Sequence, residues 1–217
     1  MFTHQFFNII LELTEDWVVR EVIPDHESQD INIKVEHVGN KALCPVTKEL
    51  CKKHDHANER SWRHLDTMQY KTYIHCRLPR VRNKHGAVKT VPPPWASKHE
   101  RHTYLFECAT IDLLQSTKNQ TRTAELMRCG FNVIIRIVKI STERGLRRRE
   151  LDDESLTHLS IDEKSFRKGH EYVSVLSHPE SGVVLDIEPG RTKGSARDLL
   201  SRTLTGAQKE KTGSLCL

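Results

Sequence analysis

The sequence predicts an α+β protein of several domains, with a β-rich amino-terminal part, a helical middle and a second β-rich part. Three observations predict this order. Strand-like stretches occupy much of the first 102 of 217 residues, helical periodicity dominates residues 103–149, and strand-like stretches return after residue 156. Three arginines followed by an acidic run separate the last two parts, so residues 150–155 are a predicted solvated linker.

The first part divides at residue 43 in our prediction. Residues 1–43 are expected to form a short amphipathic helix (5–14) and a β-hairpin of strands 17–23 and 30–38 joined by a polar loop. Residues 44–102 are expected to form a small module with further short strands at 69–78 and 88–91, and the three prolines after residue 91 stop regular structure.

Residues 103–149 contain three predicted helices, at 104–115, 119–128 and 131–144. Leu105 is predicted to face inward on the first. Cys129-Gly130 is expected to end the second through a left-handed glycine, and Gly145 to end the third. Two helices joined by a tight glycine turn are typical of a helix-turn-helix, although many helical linkers share this pattern.

The chain after residue 156 is predicted to form three antiparallel strands, at 156–162, 172–176 and 183–187, followed by a helix at 195–204. Asp162 ends the first apolar run, where a carboxylate can coordinate a divalent cation beside a sheet. The alternative is an aspartate that merely ends a strand and caps a turn.

Charge is distributed unevenly along the chain, although its formal net charge is only +5. Residues 44–150 carry 22 Lys and Arg against 10 Asp and Glu, a net charge of +12, whereas the preceding and following parts are net acidic. This pattern favours a nucleic acid as the partner of the middle part, with an ordinary solvated surface as the alternative.

The predicted DNA contacts lie on the helical part and on a basic segment before it. Asn132, Arg136 and Lys139 lie opposite the apolar residues of the third helix, where they can reach base edges in a major groove. Asn119 and Arg122, near the preceding helix start, are predicted phosphate contacts. A basic cluster is expected to add a salt-sensitive, non-specific contribution; it comprises Arg77, Arg80, Arg82, Lys84 and Lys89.

Export and membrane insertion are not expected. The apolar runs are far shorter than the ~20 residues that span a bilayer, and the first residues, Met1-Phe2-Thr3-His4-Gln5, lack a basic signal region. The six cysteines are scattered, which favours a reduced, cytoplasmic state.

Several motifs in collinear order resemble the bacterial insertion-sequence transposases of the ISL-three family. They are Trp62-Arg63-His64-Leu65-Asp66, Leu78-Pro79-Arg80-Val81-Arg82, the 91–95 run, the 161–170 segment, Val184-Leu185-Asp186 and Gly190-Arg191-Thr192. The resemblance implies a zinc-binding module, a helix-turn-helix and a catalytic domain of ribonuclease-H-like fold with a DDE triad. It also implies a nucleoid-associated protein that binds the terminal inverted repeats of its element in double-stranded DNA. A second copy of the chain or intact transposase is a further implied partner.

Asp162 matches the first triad position in this resemblance, as a ligand of Mg²⁺ or Mn²⁺. The second Asp and the Glu lie in the family beyond the predicted 195–204 helix, so we expect a truncated transposase without strand-transfer activity. Asp186 and Asp198 are weak substitutes. The alternative is a non-catalytic DNA-binding protein that competes for element ends.

The zinc module departs from the family pattern, which has a Cys-Pro-x-Cys-like pair and a later Cys/His pair. This chain has Thr47 at the second cysteine position of Cys44-Pro45-Val46-Thr47, and a cysteine partner for His85 is absent. We therefore favour a degenerate module without Zn²⁺. The alternative is a zinc site built from Cys44 and Cys51 with nearby histidines, among them His54, His56 and His85.

Overall fold

A computed structural model describes residues 2–148, 156, 158–167, 171–211 and 214–216. The chain divides into two compact units, Met1–Glu143 and Arg144–Leu217. The predicted linker, residues 150–155, lies outside the described residues.

The first unit contains four helices and two four-stranded sheets. Its helices are α1 (Phe2–Ile10), α2 (Tyr104–Thr117), α3 (Gln120–Leu126) and α4 (Phe131–Arg148), the last of which runs into the second unit. Its strands are β1 (Trp17–Asp25), β2 (Asp30–His37), β3 (Lys41–Leu43), β4 (Leu50–His56), β5 (Arg60–Arg63), β6 (Lys71–Cys76), β7 (Pro79–Arg82) and β8 (Val88–Thr90).

The first sheet has the order β1-β2-β6-β5, and its hairpin confirms the prediction for residues 17–38. Strands β1 and β2 are antiparallel, and Ile33, Val35 and His37 are buried on one face of β2 as their alternation predicts. Strand β6 adds parallel to β2. The rings of Trp17, Trp62 and Trp95 pack edge to face at 5.1 and 5.6 Å, so they form the aromatic centre of this core.

The second sheet has the order β3-β4-β7-β8 and consists of two hairpins. Only β8 was predicted among its strands. Because β2 precedes residue 43 and its partner β6 follows it, one sheet and one core extend across the predicted boundary at 43/44.

Helices α2, α3 and α4 confirm the three predicted helices, but several details differ. Leu105 is 45% exposed and Phe106 is buried instead, so the predicted inward position of Leu105 is wrong. The left-handed residue after α3 is Arg128 (φ 51°) rather than Gly130. Helix α4 continues through Gly145 to Arg148, so Gly145 does not end it.

Within its described residues, the second unit contains the end of α4, a four-stranded sheet and two further helices. Strands β9 (His158–Arg167), β10 (Glu171–His178) and β11 (Val183–Pro189) are antiparallel, as predicted. Helix α5 (Lys193–Thr203) packs on them through Leu199, which is fully buried. Helix α6 (Gly206–Lys211) and strand β12 (Ser214–Cys216) were not predicted, and β12 pairs parallel to β9 to give the order β11-β10-β9-β12.

Candidate nucleic-acid interface

Helix α4 presents a mixed polar and apolar face to solvent. Ile134 and Ile137 are buried beneath it. In the first nine residues of the helix, the exposed positions are Phe131, Asn132, Ile135, Arg136 and Lys139. Because residues three and four apart share one side of a helix, these side chains form a continuous strip. All three residues that the sequence predicted for base contacts therefore lie on this strip.

The Arg136 guanidinium is hydrogen-bonded to the loop before α2. Its Nε and Nη2 donate to the two carboxylate oxygens of Glu100 at 3.0 and 3.2 Å. The Glu100 side chain is only 9% exposed, and its hydrogen bonds raise the pKa of Arg136. Arg136 thus fixes α4 to the rest of the unit while its side chain stays 56% exposed.

The two predicted phosphate contacts of α3 are engaged locally. Asn119 caps the helix, since its side-chain oxygen accepts from the backbone N–H of Arg122 at 3.0 Å. The Arg122 guanidinium pairs with Glu125 at 2.9 Å on an exposed surface. The cap uses the Arg122 N–H, whereas the Arg122 side chain is 61% exposed and accessible to a phosphate.

A partly buried ion network, which was not predicted from the sequence, joins the turn before α4 to the first sheet. One Asp66 oxygen accepts from Arg63, and the other accepts from Arg128 at 2.9 Å. Arg63 is 7% exposed and also donates to the carbonyl of His64. Its guanidinium lies over the rings of Tyr73 and Phe106. The Trp62-Arg63-His64-Leu65-Asp66 motif was the available signal.

His64 completes this network on the side of α2. Its Nδ1 is hydrogen-bonded to Thr103 Oγ1 at 2.9 Å, and Thr103 in turn caps α2. Burial, followed by the neighbouring Arg63 charge, lowers the pKa of His64 to about 4. The imidazole is therefore neutral at physiological pH, and its role here is structural.

Two of the five residues of the predicted basic cluster, Arg80 and Lys84, form ion pairs within the first unit. Arg80 makes a bidentate ion pair with Asp55, and Lys84 Nζ lies 2.7 Å from a carboxylate oxygen of Glu49. Arg82 is exposed and contacts His54 at 3.3 Å. Of the two predicted DNA contacts in this cluster, Arg82 is thus the more available for phosphate.

The predicted zinc ligands lie in the turn before β4, in β4 itself and in the turn after β7. Cys44 is buried, and the Thr47 side chain and backbone lower the pKa of its thiol. Burial, then the adjacent Cys44, raises the pKa of Cys51. His85 lies exposed on the other turn. Across the described residues, no group of three His, Cys, Asp or Glu side chains is arranged to hold a metal ion.

Asp162 lies in the middle of β9, not at its end as predicted. It is exposed, and its Oδ1 accepts from the backbone N–H of Glu163 at 2.8 Å. In strand register its neighbour Ile161 belongs to the buried row that includes Leu176 and aligns with Asp186. Because successive side chains alternate faces, Asp162 lies on the sheet face opposite to that row.

Asp186 is committed to α5. Its Oδ2 accepts from Arg202 Nε at 2.9 Å and from Thr203 Oγ1 at 3.0 Å. These bonds lower the pKa of Asp186 against the opposing effect of burial. Asp186 therefore does not join Asp162 in one metal site. Asp198 is exposed on α5.

Comparison with known proteins finds insertion-sequence transposases as similar proteins, both for a segment of the first unit and for a longer part of the chain. Residues 41–85 match a family profile described as the zinc-finger of transposase IS204/IS1001/IS1096/IS1165. The chain is 30% identical over 142 residues to the transposase for insertion sequence element IS1557 of Mycobacterium tuberculosis, which covers 64% of this chain and 31% of that protein. It is 26% identical over 187 residues to the transposase for insertion sequence element IS1001 of Bordetella parapertussis, which covers 85% of this chain and 45% of that protein.

The chain thus spans less than half the length of these curated relatives. No solved structure gives a significant match. Among the helices of the described residues, none has the length and apolar character needed to cross a membrane.

Proposed function

The chain belongs to the ISL-three family of insertion-sequence transposases, and from this premise we propose that its first unit binds the terminal inverted repeats of such an element. The exposed strip of α4 is the observation that carries the proposal. A strip of amide, cationic and apolar side chains over a buried base suits a helix that enters a major groove.

Helices α3 and α4 with the residues between them serve as the helix-turn-helix in this proposal. Four residues, 127–130, separate the two helices, which is the short connection typical of the motif. The proposed base contacts are Asn132, Ile135 and Lys139, while the Arg136 guanidinium is fixed by its hydrogen bonds to Glu100. The start of α3 at Asn119 and Arg122 faces the phosphate backbone.

The ion network around Asp66 gives the helices a fixed orientation relative to the β-rich part. Asp66 lies after β5, and Arg128 lies in the turn that leads into α4. An anchored turn lowers the entropy lost when α4 enters a groove, because its direction is already set. Arg63 and Asp66 are therefore positioning residues, and they need not contact DNA.

The second unit is, in our proposal, the opening of a ribonuclease-H-like domain with Asp162 as its first metal-binding carboxylate. Three antiparallel strands, a helix and a fourth strand parallel to the first support this assignment. A two-metal centre needs several carboxylate ligands, and the described residues supply no group of three. These residues therefore do not fit the metal pair, and we derive no cleavage step from them. DNA binding by the first unit is the activity that the described residues support.

Fluorescence anisotropy with purified full chain tests the proposed binding. The probe is a duplex with the terminal repeat that flanks the coding sequence, and a shuffled duplex of equal length is the comparison. Asn132→Ala should weaken repeat binding about tenfold and leave shuffled binding nearly unchanged, because a good amide–base pair contributes roughly 1–3 kcal/mol to discrimination.

Lys139→Ala should weaken binding to both duplexes and reduce the slope of log K against log salt by about 1. Lys193→Ala, an equally exposed lysine at the start of α5, is the matched control and should change neither quantity. Equal affinity of the unmodified chain for repeat and shuffled duplexes would refute end recognition. Full affinity in both α4 variants would refute the role of α4.

A further inference from the structure

The turns that carry the zinc-finger match meet at one end of the second sheet. Strands β4 and β7 pair antiparallel with Lys53 opposite Val81, so the turn that precedes β4 and the turn that follows β7 project from the same edge. The first turn is closed by the Lys48 N–H bonding to the Cys44 carbonyl at 2.9 Å. The second is closed by the Gly86 N–H bonding to the Asn83 carbonyl at 2.9 Å.

A structural zinc ion between two such turns requires four Cys or His ligands, usually as two close pairs. The first turn offers Cys44 and, three residues on, Thr47. The second offers Asn83 and His85. Each turn thus has one good ligand and one side chain that zinc rarely takes, and Cys51 beside Cys44 adds a third sulfur or nitrogen donor but not a fourth.

The side chains of the two poor ligands, Asn83 and Thr47, are either hydrogen-bonded within the protein or buried. Asn83 is 8% exposed, and its side-chain oxygen accepts from the N–H groups of His85 at 3.1 Å and Ala87 at 3.0 Å. That oxygen shapes the turn and is directed at backbone donors. Thr47 Oγ1 is buried beside the Cys44 thiol, and a hydroxyl is a weak ligand for zinc.

An ion pair spans the gap that a metal would otherwise bridge. Lys84 Nζ on the second turn donates to Glu49 Oε1 on the first at 2.7 Å. We infer that residues 41–85, which match the zinc-finger profile, keep their fold without bound zinc. The Glu49–Lys84 pair joins the two turns, and the Asn83 amide stabilises the conformation of the second turn. The core beneath, with Ala42 and Val81 buried, supplies the remaining cohesion.

Zinc content and thermal unfolding of the full chain test this inference. The chain is purified from zinc-supplemented medium, dialysed, and measured by elemental analysis. Its unfolding midpoint is then compared with and without a zinc chelator. We expect far less than stoichiometric zinc and an unchanged midpoint. The double variant Thr47→Cys/Asn83→Cys should bind stoichiometric zinc together with Cys44 and His85, and a chelator should lower its midpoint.

Three results would overturn the inference. One is stoichiometric zinc in the unmodified chain that is lost in Cys44→Ser but retained in Cys108→Ser, a matched control on the exposed cysteine of α2. Another is a chelator that lowers the midpoint of the unmodified chain. The third is a folded double variant that takes up no zinc, because positions 47 and 83 would then not be ligand positions. If the double variant does not fold, the measurements on the unmodified chain decide alone.

Discussion

Asp66 is the residue at which the connection between α4 and the β-rich part can be tested most directly. It accepts from two arginines, and the Arg63 side chain is only 8% exposed. Replacing Asp66 by Asn preserves its size and one acceptor oxygen but removes the charge that both guanidinium groups face. Arg63 would retain the carbonyl of His64 and the ring of Phe106, so it would be under-compensated rather than isolated.

The expected cost follows from burial. Breaking a fully buried ion pair costs 3–5 kcal/mol, and breaking an exposed one costs roughly 0–1 kcal/mol. The Asp66 side chain is 29% exposed. An intermediate value of about 2 kcal/mol is therefore expected for Asp66→Asn. In a unit of this size it corresponds to a fall in the unfolding midpoint of about 6 °C.

Urea denaturation followed by tryptophan fluorescence is the suitable assay, because Trp17, Trp62 and Trp95 all lie in the core of the first unit. Glu125→Gln is the matched control. It removes one charge from the Arg122 pair, whose side chains are 61% and 59% exposed, and should cost less than about 0.5 kcal/mol. If Asp66→Asn destabilises the chain no more than Glu125→Gln does, the network is not a structural anchor and our reasoning fails.

Two further predictions concern the core groups of the two units. The pKa of His64 is about 4 in the folded chain and about 6.5 in the unfolded chain. The free energy of unfolding is therefore unaffected by His64 protonation above pH 6.5 and decreases as the pH falls from 6.5 towards 4. His64→Gln should flatten that part of the stability–pH curve measured by urea denaturation, and an equally steep curve would exclude His64 as its source. Leu199→Ala should destabilise the second unit by about 2–5 kcal/mol in thermal unfolding followed by circular dichroism, because the side chain is fully buried. The neighbouring exposed change Arg197→Ala should cost little, and equal effects of the two would contradict the placement of α5.

The parts of the fold that were predictable are those with a strong local pattern. Strand β2 alternates Ile31, Ile33 and Val35 with polar residues, and α4 repeats its apolar residues at helical spacing. Strand β4 was not predicted because Lys52, Lys53, His54 and Asp55 follow one another, and none of its residues is fully buried. A polar, half-exposed strand has no hydrophobic period to detect.

Long-range pairings were beyond reach for another reason. The parallel contact of β2 with β6 joins residues about 40 positions apart, and β12 is a strand of three residues that exists through its pairing with β9. Local sequence does not specify such partners. On the candidate interface the same limit applies. The outward direction of Asn132 and Lys139 followed from helical geometry, whereas the partners Asp55 and Glu100, which engage Arg80 and Arg136, are 25 and 36 residues away.

Strand β11 forms one border of the sheet of the second unit within the described part of the chain. Its side chains Val183, Val184 and Ile187 are 38%, 44% and 49% exposed. A border strand that carries solvent-exposed aliphatic side chains is a surface through which copies of a chain can associate. We therefore expect self-association through β11 at high protein concentration. Val183→Lys is therefore a suitable first substitution to reduce self-association.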